Sequence, residues 1–304
     1  MDLMNKTKLE RKYVRTDLAC ESGRISPEKY NGAVYRRDEK DGITTERLNV
    51  QNEIGEKETG KQRGNYTTVS SDNFKNYYLK DETVKDVLAN EIKNIAENAI
   101  GHRVTPSTNV LVAGLGNRFI TADSLGPRVA DKINATRHVR DTIKVFEELG
   151  CSKVSVVQTG VLGQTGIESS ELICGAAKSV SPDLIIAIDA LAARSTSRLA
   201  TTVQLTDTGI SPGGGIGNRR RAINEKNTGC PVISIGVPTI VGSSTLIYDA
   251  IERAGIEEID PALEKILENS KSFFVSLNDS DLVIDYLSDV ISFSINKVFG
   301  TSEL

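Results

Sequence analysis

The stretch at residues 109–130, NVLVAGLGNRFITADSLGPRVA, limits the fold of this chain more sharply than any other. Residues 110–113 are a short apolar run bounded by turn residues, the pattern of a strand buried on both faces of a parallel sheet. Gly114, Gly116 and Asn117 then allow a sharp turn. Asp123 follows in a loop, and from Gly126 the pattern turns helical. Open α/β sheets place their working residues in such loops, beyond the carboxyl ends of buried strands.

The rest of the chain repeats this alternation. Apolar runs predict strands at 153–157, 184–188, 201–205 and 231–237, with Asp189 standing at the end of the most apolar of them. Helices are predicted near 128–136, 139–149, 168–178, 243–253 and 262–268. Asp81 can cap an earlier helix in which Val84, Val87, Leu88, Ile92, Ile95 and Ala99 share one face, and Gly101 stops it. Ser280 can cap a last long helix with Val283, Ile284, Leu287, Ile291, Ile295 and Val298 on one face. Strands alternating with helices predict an α/β fold with a mostly parallel sheet covered on both faces, residues 81–304 forming this body. The loops after Ala113, Val157, Ile188 and Val237 should then meet at one sheet edge. Residues 18–80 combine the end of an arm with a polar, β-rich region whose strand-like fragments lie at 43–50 and 66–70, between Gly55, Gly60 and Gly64. Residues 1 to about 30 read as a flexible arm, positively charged over 6–15.

Several function classes are excluded at this level. A net charge of −4 gives no electrostatic case for a nucleic-acid-binding body. No apolar run approaches the roughly 20 residues of a transmembrane helix, so no membrane partner is expected, and the N-terminus lacks the apolar core of a secretory signal. The four cysteines are scattered without a C-x-x-C, as in thiols kept reduced in a cytoplasm. With only His102 and His138 besides, no metal is expected.

Asp123 and Asp189 are the first candidate pair. Both follow the carboxyl end of an apolar strand, so neighbouring strands would bring the two carboxylates together. Two carboxyls in one dry cleft do not both ionise cheaply, and such a pair can activate water with one member and protonate a leaving amine with the other. Equally, Asp123 could shape a turn and Asp189 could cap a helix. Gly114-Leu115-Gly116 invites a dinucleotide reading, but Phe119 stands where the third glycine belongs and Gln158-Thr159-Gly160 follows the next strand instead of an acidic residue. Asp207-Thr208-Gly209 matches the tripeptide of pepsin-like proteases, which are all-β and need two copies. The glycine-rich loop behind it, followed by Arg219, Arg220 and Arg221, could close over a cleft and bind an acidic peptide, or could be a solvated surface loop. The loop opened by Thr159 and Gly160 could supply backbone donors at the same edge, or simply connect.

Five blocks stand out together: GLGN-x5-DSLGPRV from Gly114, TGVLGQTGIESSE from Thr159, IAIDALAAR from Ile186, TDTGISPGGGIGN from Thr206 and IGVPT from Ile235. In combination they resemble the germination protease family, the spore endopeptidases that degrade small acid-soluble spore proteins. The resemblance implies a three-layer α/β/α sandwich similar to hydrogenase-maturation proteases, and an aspartic-type endopeptidase whose proposed catalytic aspartates fall on Asp123 and Asp189. It implies no cofactor, a homotetramer in the developing spore and location in the spore core. Family members are made as precursors that remove a short propeptide themselves. Their substrates resemble Thr-Glu, a large apolar residue, then Ala-Ser-Glu, cut after the first acidic residue. This chain carries Thr16-Asp17-Leu18-Ala19-Cys20-Glu21, so residues 1–17 are expected to be a propeptide released by cleavage between Asp17 and Leu18. The competing reading is a non-catalytic protein that grips acidic peptides or a nucleotide through its glycine loops.

Overall fold

The computed structural model describes residues 7–8, 16–22, 27–78, 82–140, 150–214, 220–269 and 273–300. Asp81, Arg219 and most of the helix expected at 139–149 lie outside the described residues. The strands in chain order are β1 (Thr7–Lys8), β2 (Ala33–Lys40), β3 (Ile43–Val50), β4 (Gly64–Ser70), β5 (Asn109–Leu115), β6 (Lys153–Gly160), β7 (Leu184–Ala193), β8 (Thr202–Thr206), β9 (Val232–Gly242), β10 (Glu258–Ile259) and β11 (Phe274–Val275).

The apolar runs read as buried strands because each is covered twice. Val110 and Val112 of β5 pack with Leu184, Ile186 and Ile188 of β7 in one core, closed by the helices Glu82–Ile100, Leu125–Asp131 and Ser280–Val298. The intervening Leu111, Ala113 and Leu115 pack with Ile185 and Ala187 in a second core, under Ile173 and Ala177 of the helix Ser169–Val180. Side chains that alternate between two helical layers give the three-layer α/β/α arrangement. The central sheet runs β2-β3-β4-β8-β9-β7-β5-β6, with β11 added on β9. Its core is parallel, β6, β5, β7 and β9 all running one way, while β8 is antiparallel to β9. The N-terminal strands β2, β3 and β4 form an antiparallel meander that extends the same sheet through β8. A short helix, Glu53–Thr59, interrupts this meander, with Asn52 accepting from Ile54 and Gly55 amides at its start.

The structure departs from the sequence reading at the sheet edge. β7 continues to Ala193 and β9 to Gly242, so Asp189 sits within its strand, its Cα opposite Gly236. The strands run on because Leu191, Ala193 and Val241 bury themselves in a small satellite core with Leu199 and Leu18. The register of β7 on β9 shifts between Leu191 and Ala192, leaving Thr239 as an extra residue beside Pro238, a bulge that tolerates proline within a sheet. The helix expected at 128–136 instead spans Leu125–Asp131. Pro127 is acceptable in a first helical turn, where its missing N–H is not needed. Gly126 lets this helix press onto the sheet: a Cβ there would lie 2.2 Å from the Leu115 carbonyl oxygen and 2.5 Å from that of Ile188.

Candidate active site

Asp123 is placed by a loop held at four points. Gly116 adopts φ +105°, and a Cβ on it would come within 2.1 Å of the Asp123 carbonyl oxygen. The turn this permits brings the Asn117 amide to donate to Asp123 Oδ2 at 2.8 Å. The Asp123 amide donates to the Ile120 carbonyl at 2.8 Å. Finally, the bulge residue Thr239 donates its hydroxyl to the Ala122 carbonyl at 2.6 Å, tying the loop to β9.

Asp189 arrives from the neighbouring strand. β5 and β7 are parallel partners, with Gly114 opposite Ile188, so the loop leaving β5 and the residue after Ile188 share one edge. Asp189 is 6% exposed and its Oδ1 accepts from the Ala190 amide at 2.9 Å. Burial, then the Asp123 carboxylate, push its carboxyl well above the usual range, with Asp17 adding to the effect and Arg220 opposing it. Burial also raises Asp123, and there the Asn117 amide and Arg220 oppose it. The two carboxyls are therefore inequivalent: Asp189 is the better proton holder and Asp123 the better carboxylate.

Both aspartates line a cavity of about 620 Å³ at the carboxyl ends of the parallel strands. Part of the N-terminal arm runs into it, so residues 16–22 are fixed where the sequence predicted flexibility. Asp17 lines the cavity with the pair. Its amide donates to the Ala192 carbonyl at 2.9 Å, and its Oδ2 accepts from the Ala192 amide at 2.9 Å. Leu18 is fully buried in the satellite core of Leu191, Ala193, Leu199 and Val241. The Ala19 amide donates to Gln204 Oε1 at 2.5 Å. Glu21 accepts from the Arg194 and Ser195 amides at 2.7 and 3.0 Å, and from the Thr16 hydroxyl at 2.5 Å. Each feature of the 16–21 pattern, acidic, large apolar, small, acidic, thus meets a complementary surface. Cys20, where the substrate pattern has serine, has its thiol pushed up to about 11 by burial, which disfavours the thiolate.

The other predicted residues divide. Arg220 lines the cavity, whereas Arg221 is exposed and outside the lining, and Arg219 lies outside the described residues. Thr159 is buried at the end of β6, its hydroxyl donating to the Gly160 carbonyl; neither residue is among those lining the cavity, which this loop reaches through Val161. Asp207 works as a structural latch: its carboxylate accepts from the Asn65 amide at 2.8 Å and from Asn65 Nδ2 at 2.6 Å, joining the end of β8 to the start of β4. Among the described residues, no group of three or more His, Cys, Asp and Glu side chains is placed to hold a metal ion.

Two cavity residues escaped the sequence reading. Lys61 Nζ donates to the Asp17 carbonyl at 2.8 Å, and Gln204 Nε2 donates to the same oxygen at 3.1 Å. Gln204 had one signal, an amide in the middle of an otherwise apolar and β-branched strand, TVQLT. Lys61, after Gly60 in a polar stretch, had none.

Comparison with known proteins agrees with the motif blocks. Residues 10–255 match the family model described as germination protease. The germination protease of Caldanaerobacter subterraneus subsp. tengcongensis is 38% identical over 308 residues, covering 93% of each chain. That of Clostridium tetani is 40% identical over 273 residues, covering 88% of this chain and 81% of its own. A solved [NiFe] hydrogenase maturation protease, HycI from Thermococcus kodakarensis KOD1, overlays 60% of this chain and 99% of its own at a TM-score of 0.32 and 17% identity, too distant to carry chemistry across.

Proposed function

From the premise that the chain belongs to the germination protease family, we propose that it is a sequence-specific, aspartic-type endopeptidase that initiates breakdown of small acid-soluble spore proteins. We propose further that it is made as a precursor and cuts itself between Asp17 and Leu18. The observation that carries this reading is that Asp17 and the Asp123–Asp189 pair line one cavity.

In this mechanism Asp123, the better carboxylate, takes a proton from the attacking water, and Asp189 protonates the leaving amine of Leu18. Ionised Asp123 and protonated Asp189 are both required, so activity falls when acid protonates Asp123 and falls again when base deprotonates Asp189. A protein substrate that is unfolded around its cleavage site would replace the 16–21 segment, its acidic residue on the Ala192 amide and its apolar residue in the Leu18 pocket.

The test uses purified full-length protein held at mildly acidic pH, with intact mass read over time. Wild type should lose residues 1–17 and leave Leu18 as the new N-terminus. Asp123→Asn and Asp189→Asn should stay intact, and Asp207→Asn should still cleave if it remains folded. Cleavage at another bond, or undiminished cleavage in both aspartate variants, overturns the reading.

A further inference from the structure

We infer that Lys61 is a catalytic residue of this cleavage: its ammonium, with the side-chain amide of Gln204, grips the carbonyl oxygen of the scissile bond and takes up the negative charge that forms there. This rests on the proposed self-cleavage between Asp17 and Leu18.

The geometry has three parts. The Asp17 carbonyl oxygen accepts from Lys61 Nζ at 2.8 Å and from Gln204 Nε2 at 3.1 Å, two donors on one oxygen at the separations of an oxyanion hole. The same Gln204 amide accepts from Ala19 N at 2.5 Å, so it holds the chain on both sides of the bond to be broken. Both donors line the cavity that holds Asp17, Asp123 and Asp189.

The fold aims these donors. The helix Glu53–Thr59 ends on Gly60 at φ +71°, and the Lys61 amide donates to Thr59 Oγ1 at 3.2 Å. That turn leads Lys61 into the stretch before β4, where it lines the cavity. Gln204 is nearly buried on β8, its Cα opposite Thr68 on β4 and Gly236 on β9. Burial draws the Lys61 ammonium below its usual range, with the Asp17 carboxylate opposing that fall. A donor partly withdrawn from water acts more strongly on a charge that develops beside it.

The chemistry balances. The water oxygen bonds to the Asp17 carbonyl carbon, its proton passes to Asp123, and the carbonyl electron pair moves onto the oxygen held by Lys61 and Gln204. That pair then re-forms the carbonyl, the bond from Asp17 carbon to Leu18 nitrogen breaks, and the nitrogen takes the proton of Asp189. One water is consumed, and a carboxyl and an amine are released. Lys61 keeps its protons throughout.

The experiment follows self-cleavage of the full chain by intact mass at mildly acidic pH, in wild type, Lys61→Met, Lys61→Arg, Gln204→Ala, Asp123→Asn and Asp189→Asn, each with a thermal melt. Loss of one oxyanion donor costs about 10²–10³-fold in rate, so K61M should slow by that factor while melting with wild type. K61R restores a donor and should recover about tenfold or more over K61M, a rescue that a purely structural role for the lysine does not produce. If D123N and D189N are inert while a folded K61M cleaves within about threefold of wild type, the inference is overturned and the aspartate mechanism stands. If both aspartate variants cleave freely, the aspartate mechanism itself fails. Should K61M not fold, Q204A decides: a folded Q204A that cleaves at the wild-type rate overturns the two-donor grip.

Discussion

Asp17 and Ala192 bind each other twice: the Asp17 amide donates to the Ala192 carbonyl, and the Ala192 amide donates to the Asp17 carboxylate, each at 2.9 Å. An acidic residue is therefore recognised here by a backbone amide, inside a cavity that Arg220 also lines. A hydrogen bond to a charged group is worth about 1.5–3 kcal/mol, or roughly ten- to a hundredfold. Asp17→Ala is predicted to slow self-cleavage by that factor, with Asp17→Asn intermediate because its amide oxygen still accepts. First-order rates from intact mass check this, and an Ala variant as fast as wild type contradicts it.

The aspartate pair has a signature in stability. Asp189 is pushed well above the usual carboxyl range by burial and by Asp123, so the folded state binds its proton more tightly than the unfolded state does. Stability from this group is full below the ordinary carboxyl range and is lost as pH rises towards its folded value. Asp189→Asn removes that loss. The variant is predicted to melt higher than wild type at neutral and alkaline pH, with the difference shrinking towards pH 4. Thermal melts across pH measure this, and a pH-independent difference contradicts it.

Much of this site was legible because each of its two acids comes after an apolar run that forms a buried strand or the buried part of one. The apolar runs of β5 and β7 announce themselves, and parallel pairing then fixes that the residues beyond Gly114 and Ile188 meet. The ends of those strands were not legible. Asp189 and Pro238 look like strand breakers, and β7 and β9 continue past them through tertiary contacts: Leu191, Ala193 and Val241 are buried with Leu18 and Leu199, and β11 pairs with the end of β9. The helix Glu53–Thr59 is hidden by Gly55 in its first turn. Lys61 and Gln204 come together because β4 pairs with β8, an antiparallel contact between distant stretches that no local pattern encodes. The Asp207-Thr208-Gly209 tripeptide misleads in the opposite direction: its carboxylate is fully engaged by Asn65, a purely tertiary fact.

Gly116 makes a sharp test of how Asp123 is held. At φ +105° a side chain is strained, and a Cβ would lie 2.1 Å from the Asp123 carbonyl oxygen and 3.0 Å from Oδ1. The neighbour is backbone, so it cannot swing aside. Gly116→Ala must displace the Asn117–Asp123 hydrogen bond or distort the loop, at about 1–3 kcal/mol for the backbone alone. The variant is predicted to lose self-cleavage by tenfold or more while keeping most of its melting temperature, since neither helical core is touched. Wild-type cleavage in this variant would mean that the loop position does not control the chemistry.

Leu18 separates docking of the arm from chemistry. Its side chain is fully buried, yet its neighbours Leu191, Ala193, Leu199 and Val241 form a satellite core apart from the two that hold the sheet. Leu→Ala in a core costs about 2–5 kcal/mol, but here that cost falls on the docked segment first. Glu21, anchored on the Arg194 and Ser195 amides, holds the other end independently. In an Asp123→Asn background, where cleavage cannot interfere, Leu18→Ala is predicted to speed hydrogen exchange at the Asp17 and Ala19 amides by about thirtyfold or more, the lower bound of that cost, while the global melt moves little. Unchanged exchange at those amides would show that the hydrogen bonds of Asp17 and Glu21 hold the segment without the apolar pocket. In the cleavage-competent protein the same substitution should then reduce the self-cleavage rate in proportion to the undocked fraction, because only the docked carbonyl meets Lys61, Gln204 and the aspartate pair.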